Sequence, residues 1–258
     1  MQIRYQPMMS TTTDKLNISV YRNRHEIGAA AAEAVAACMR ELLSKQQQVR
    51  MVFAAAPSQN EFLQAIKVEP LLDWSRVSVF HMDEYIGLPA DAPQLFGRFL
   101  KESIWDEVNP GEVHLIDGLN DPIAESKRYG QMIAQAPIDI ICLGIGENGH
   151  IAFNDPPVAN FHDTEVMKLV MLDEACRQQQ VNDGCFPSIA DVPKYALTLT
   201  IPTMMSGVRL FCIVPGITKQ AAVREMLTAP ISTVCPATIL RSHLDCIVYL
   251  DQDSYGVL

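Results

Sequence analysis

The chain has 258 residues, 48% hydrophobic and 19% charged, with a net charge of −10. That length is enough to bury a sizeable core, and the acidity excludes the basic surface that nucleic acid requires, though not one or two cations facing a small anion. No apolar run reaches membrane-spanning length and Met1-Gln2-Ile3-Arg4-Tyr5 has no signal-peptide core, so a cytoplasmic protein without membrane contact is expected.

In chain order, residues 1–15 are polar and read as a loose leader, followed by a short strand over Ile18 to Tyr21. From Glu26 to Ser44 the apolar positions Ile27, Ala31, Ala34, Val35, Cys38 and Leu42 recur at helical spacing. Met51 to Ala56 reads as a buried strand, turned by Pro57-Ser58-Gln59-Asn60 into a helix from Glu61 to Lys67. Free N–H groups at such a turn suit an anion near Ser58 and Gln59, although a plain helix cap reads the same way. Arg76 to Met82 is the next strand, and it runs into Asp83-Glu84-Tyr85. Two acids at a strand's carboxyl end supply either a general base or a turn cap. Pro93 to Asp106 reads as a helix with Arg98 and Lys101 on a solvated face. A strand over Glu112 to Ile116 and a helix over Asp121 to Gln135 follow.

The centre of the chain is Leu143-Gly144-Ile145-Gly146-Glu147-Asn148-Gly149-His150, delivered by the apolar strand Ile138 to Leu143 and continued by Ile151-Ala152-Phe153-Asn154-Asp155-Pro156. Three glycines in six positions free the backbone, and His150 then offers a group suited to proton transfer near neutral pH. Asn148, Asn154 and Asp155 are placed to orient it; an ordinary turn with a solvated histidine is the alternative. Residues 162–191 form a polar segment, read as a lid or as a helix with an inert loop. Ala196 to Ile201 and Arg209 to Val214 are strands, the second ending at Pro215-Gly216-Ile217-Thr218-Lys219 where a helix begins. A lysine in a helix's first turn opposes the helix dipole unless an anion sits there. Residues 230–242 look irregular, and Cys246 to Leu250 is a last strand.

This alternation predicts an α/β fold: a mainly parallel, Rossmann-like sheet between two helical layers, in one domain over residues 1–258. The seven cysteines (Cys38, Cys142, Cys176, Cys185, Cys212, Cys235 and Cys246) are odd in number and lack a C-x-x-C pair, so they read as reduced residues. No metal-ligand spacing stands out, and neither a metal nor a cofactor is expected.

Three segments together resemble the glucosamine-6-phosphate deaminases: His81 to Leu88, Gly144 to Pro156, and Val192 to Thr198 with Val214 to Lys219. The resemblance runs from about residue 17 to the end and implies an aldose–ketose isomerisation coupled to loss of ammonia. By position, Asp83 looks like the base moving a proton from C2 to C1, and His150 like the group assisting ring opening. Asn148 and Asp155 are similar to the partners of that histidine. Lys219, Ser58 and Gln59 match the phosphate-binding positions, and Glu84 and Gly149 join them as substrate-contact candidates. The implied partner is a small sugar phosphate, and self-association stays open.

Several residues depart from the family pattern. Asn148 replaces the usual aspartate, Asp155 is one methylene shorter than the usual glutamate, and the lid arginine has no clear counterpart near Asp183-Gly184-Cys185-Phe186. The basic pair of the family's allosteric site reads Glu165 and Met167, so no such activation is expected. Two other readings stand beside the deaminase. A 6-phosphogluconolactonase shares the glycine-rich stretch, but tends to carry Asp-Glu-Arg where this chain has Asp83-Glu84-Tyr85. A silent sugar-phosphate sensor of the repressor type would need a helix-turn-helix, for which the first 25 residues are too short.

Overall fold

The computed structural model describes residues 5–256. It opens with the antiparallel hairpin β1 (Met9–Thr13) and β2 (Leu16–Tyr21). The expected leader is therefore corrected over residues 9–13, where a threonine run with no apolar alternation is ordered by backbone pairing; residues 1–4 lie outside the described part. Helix α1 (Arg24–Leu43) starts at Asn23, whose side chain accepts from the Glu26 amide. Strand β3 (Val49–Phe53) leads through a 3₁₀ turn at Pro57–Gln59 into α2 (Asn60–Ile66), and β4 (Val77–His81) follows.

Residues 83–85, expected as a loop, form the short strand β5 (Asp83–Tyr85). The helix expected from Pro93 begins later, as α3 (Phe96–Leu100), and continues through a π turn at Lys101–Trp105 into α4 (Asp106–Val108). Next come β6 (Glu112–His114), α5 (Pro122–Ala134) and β7 (Ile140–Leu143). The polar segment 162–191 holds β8 (Met167–Met171) and α6 (Glu174–Asn182). Strand β9 (Tyr195–Leu199) ends at Thr200, which caps α7 (Ile201–Met205). Strand β10 (Arg209–Val214) leads through a 3₁₀ turn at Ile217–Lys219 into α8 (Gln220–Thr228). The stretch expected to be irregular carries a 3₁₀ helix, Pro236–Ser242, before β11 (Cys246–Asp251) and α9 (Gln252–Tyr255).

The main sheet has the order β1-β2-β11-β10-β7-β3-β4-β6 and is parallel except at the β1–β2 edge. Strand alternation divides its side chains between two cores. Met51, Phe53, Ile140, Cys142 and Ile213 pack with Ala31 and Val35 of α1 and Phe62 of α2. Val52, Ile141, Leu143, Cys212 and Val214 pack with Tyr129 and Ile133 of α5 and Val223 and Met226 of α8. Helices thus cover both faces, giving the three-layer α/β architecture.

From β3 the order grows outward through β4 to β6; the chain then returns to β7 on β3's other flank and grows outward through β10 to β11. At such a reversal the loops leaving adjacent strands diverge to opposite faces and leave a crevice beyond their carboxyl ends. A second, antiparallel sheet, β5-β9-β8, stands over that crevice. Its small core joins Tyr85, Phe153, Val170, Cys176 and Phe186. Among the described residues no helix is long and apolar enough to cross a membrane, and all seven cysteines are free thiols.

Candidate active site

A cleft of about 300 Å³ opens at this reversal. Its walls are the loops after four parallel strands: Ala54 to Gln59 after β3, Met82 and Asp83 after β4, Gly144 to Gly146 with His150 after β7, and Pro215 to Lys219 after β10.

Asp83 sits where the chain leaves the main sheet for the small one. Its carbonyl accepts from His81 Nδ1 at 2.9 Å, while His81 Nε2 accepts from the Ile116 amide at 2.9 Å. These two bonds fix a neutral His81, and complete burial lowers its pKa to about 4. Asp83 is only 6% exposed. Burial, and then the neighbouring charge of Glu84, raise its pKa well above the ordinary aspartate value. Such a carboxylate is a stronger base than one in water.

Glu84 does not join it in the cleft. Successive strand side chains point to opposite faces, and the Glu84 carboxylate turns away to accept from the Tyr85, Phe96 and Gly97 amides at 3.0, 3.1 and 2.9 Å. Burial raises its pKa to about 7 despite those bonds. The substrate-contact expectation for Glu84 is therefore corrected: this residue anchors the start of α3.

His150 is held by a tight turn in which Gly146 N donates to His150 O at 2.9 Å and Gly149 N donates to Gly146 O at 3.0 Å. Gly149 has φ +78°, and a Cβ there would stand 2.4 Å from Cys235 Sγ. It faces Cys235 and does not line the cleft, so its role is to let the turn close, not to touch substrate. A Cβ on Gly146 would strike the His150 ring.

His150 Nδ1 lies 2.9 Å from Asp155 Oδ1, so the shorter acid reaches the imidazole. The N–H is not aligned for a hydrogen bond, and the contact is a close charge pair when the ring is protonated. Asn148 braces both groups: its Oδ1 accepts from the His150 amide at 3.1 Å and its Nδ2 donates to Asp155 Oδ1 at 3.0 Å. Burial pushes the Asp155 carboxyl up, but His150, Asn148 and the Asp173 amide outweigh it and leave the pKa below the ordinary value. Cys176 Sγ completes a cluster in which imidazole nitrogen, carboxylate oxygen and sulfur all lie within 4.8 Å, the one group among the described residues whose donors could hold a metal ion.

At the other end of the cleft, Gln59 Nε2 donates to Ile213 O and Ser58 Oγ, each at 3.2 Å, which ties the Pro57–Gln59 turn to β10. Gly216, with φ +92°, donates its amide to both Asp251 oxygens at 3.1 Å. Lys219 is buried beside it. Desolvation lowers its pKa, and Asp183 and Glu147 oppose that through charge alone. A buried ammonium in this state gains from an arriving anion.

Asp83, His150, Ser58, Gln59 and Lys219 thus share one cleft, with Asn148 and Asp155 directly behind the imidazole. Sequence reasoning did not place Arg24, Gln179, Gln180 or Asp183 in the walls. Arg24 is neutralised by Glu61 through bonds of 2.5 and 2.9 Å. Gln179 accepts from the Glu147 amide at 2.9 Å, joining α6 to the glycine-rich turn. No local pattern marks these residues, because each reaches the cleft from an element remote in sequence.

A glucosamine-6-phosphate deaminase of Exiguobacterium sibiricum is 38% identical over 188 residues, covering 72% of this chain and 73% of the relative. One from Streptococcus equi subsp. zooepidemicus is 35% identical over 182 residues, covering 70% and 76%. Among solved structures, a monomeric glucosamine-6-phosphate deaminase superposes with a TM-score of 0.83 at 28% identity, covering 92% of this chain and 98% of that one. A 6-phosphogluconolactonase from Thermotoga maritima superposes with a TM-score of 0.75 at 18% identity, covering 92% and 100%, which is a likeness of fold. Residues 22–248 match the profile of the glucosamine-6-phosphate isomerases/6-phosphogluconolactonases, and the chain belongs to that family.

Proposed function

We propose that this protein is an amino-sugar phosphate deaminase/isomerase that converts glucosamine 6-phosphate, or a close relative, to the ketose phosphate and ammonia. The observation that carries this reading is the convergence of a buried carboxylate, a carboxylate-backed imidazole and a buried ammonium on one cleft. The sugar's phosphate is placed against Lys219 and the Ser58–Gln59 turn, where binding energy remote from the reacting carbons can be used for positioning. His150, backed by Asp155, moves the proton that opens the ring. Asp83 then takes the proton from C2 and returns it to C1, and the amine leaves as the C2 centre is hydrolysed. No residue in this sequence of steps requires a metal or an organic cofactor.

The relatives' names support the deaminase over the lactonase, whose resemblance is one of fold. Tyr85 adds to that preference: where a lactonase tends to carry arginine, this side chain is buried among Phe96, Phe153 and Phe186 and brings no charge to the cleft. We place the protein in the cytoplasm, where seven free thiols persist, working as one domain. The test is turnover by the purified protein. Ammonia release from glucosamine 6-phosphate, with no hydrolysis of 6-phosphogluconolactone, is expected; the reverse pattern refutes the reading.

A further inference from the structure

Helix α6 delivers to the back of the site a thiol that deamination does not use. Cys176 Sγ, His150 Nδ1 and an Asp155 oxygen lie within 4.8 Å of one another, and all three residues are buried. His150 Nδ1 is aimed into this group, nine-tenths buried, without an aligned hydrogen-bond partner. We propose that His150, Asp155 and Cys176 form a binding site for a thiophilic divalent cation, with zinc(II) as the matching ion, and that the bound ion reversibly silences His150.

The donor set supports zinc over a hard cation. Imidazole nitrogen, thiolate sulfur and carboxylate oxygen are its usual ligands, whereas calcium and magnesium take oxygen alone. Two ligands of one tetrahedral zinc ion stand roughly 3–4 Å apart, so the cluster needs only small adjustments to close on it. Charge also balances. On binding, the Cys176 thiol gives its proton to solvent and the sulfur bonds the metal; thiolate and carboxylate then neutralise the two positive charges, which makes the complex less costly to bury. Of the three ligands His150 alone lines the cleft, so an ion reaching the cluster passes its ring. Once Nδ1 ligates, its lone pair is committed to the metal and Nε2 keeps its proton, so the imidazole can no longer take up and release one in turnover, and α6 is tied to the glycine-rich turn at a second point besides Gln179.

Cobalt(II) is the direct probe, because a cobalt–thiolate bond absorbs in the near ultraviolet. Titration of the metal-free, full-length protein is expected to produce that band with one cobalt bound per chain, and added zinc(II) is expected to bleach it. Cys176→Ser should abolish the band, and His150→Asn should weaken cobalt binding at least about tenfold. Cys185→Ser should leave it intact, since Cys185 is the one cysteine not fully buried and the obvious adventitious ligand. No band in the wild-type protein overturns the proposal, as does a band that survives Cys176→Ser or disappears in Cys185→Ser. Circular dichroism confirms that each variant is folded, and the absence of a band in the wild-type protein overturns the proposal whatever the variants do. The readout is optical, so it stands apart from the deaminase assignment.

Discussion

Asn148 can serve beside His150 only because its other neighbour is a carboxylate. Its amide nitrogen donates to Asp155 while its oxygen accepts from the His150 backbone, so both ends of the side chain are used. An aspartate at 148, as in most of the family, would set two carboxylates about 3 Å apart. Asn148→Asp is therefore expected to lower turnover, and the thermal midpoint should fall with it; a gain in either would show that the two positions are independent. Asp155→Asn removes the charge behind His150 and should reduce kcat by about 10²-fold or more, with a smaller change in KM. The pair Asp83 and Glu84 allows a test by pH. Between the ordinary glutamate value of 4.5 and about 7, the folded chain keeps a proton on Glu84 that the unfolded chain has released. Folding stability from this group thus falls as pH rises through that window. Glu84→Gln cannot ionise, so the variant's melting temperature relative to wild type should climb between about pH 5 and about pH 8. The same change removes the charge that raises the Asp83 pKa, so the acid limb of the pH–rate profile should move to lower pH.

At the scale of elements, the sequence showed the parallel strands and main helices plainly, because their apolar residues alternate with the period of the structure they form. It hid the second sheet. Strand β5 is three residues long and two of them are acidic, so nothing apolar announces it, and its pairing with β9 joins residues more than a hundred positions apart. The polar segment 162–191 was opaque for a related reason: α6 buries two glutamines and a cysteine under a small sheet instead of a leucine stripe under the main one. The irregular reading of 230–242 concealed a support, since Ala237 N donates to Gly149 O at 2.8 Å and Cys235 packs under the His150 turn. The small sheet also holds that turn from the far side, where Thr198 Oγ1 accepts from the Phe153 amide at 3.1 Å. Thr198→Val keeps the shape and removes this buried acceptor. It should cost about 1–3 kcal/mol of stability in denaturant unfolding, and an unchanged midpoint would show that the contact contributes nothing.

The molecule as a whole assembles its cleft from loops that have nothing in common but the sheet beneath them. Asp83, His150 and Lys219 follow three different parallel strands, and the reversal of strand order between β3 and β7 gives them a common opening. That convergence was legible from motifs, whereas the walls contributed by Arg24 and by α6 depended on how the elements pack. The net acidity does not conflict with the proposed anionic substrate, because the cation assigned to meet it is a single buried lysine and not a basic face. Glu165 and Met167, the positions that resemble the family's effector site, carry no positive charge, and the Met167 side chain lies in the core. Turnover should therefore be hyperbolic in substrate; a sigmoidal curve relieved by a second phosphorylated amino sugar would contradict this.

The most direct measurement is deuterium exchange at C2 of glucosamine 6-phosphate in heavy water, followed by NMR with wild-type protein and with Asp83→Asn. Exchange and ammonia release by the wild type, with exchange abolished and ligand binding retained in the variant, is the result expected here. Exchange that persists in Asp83→Asn would place the base elsewhere and contradict the account.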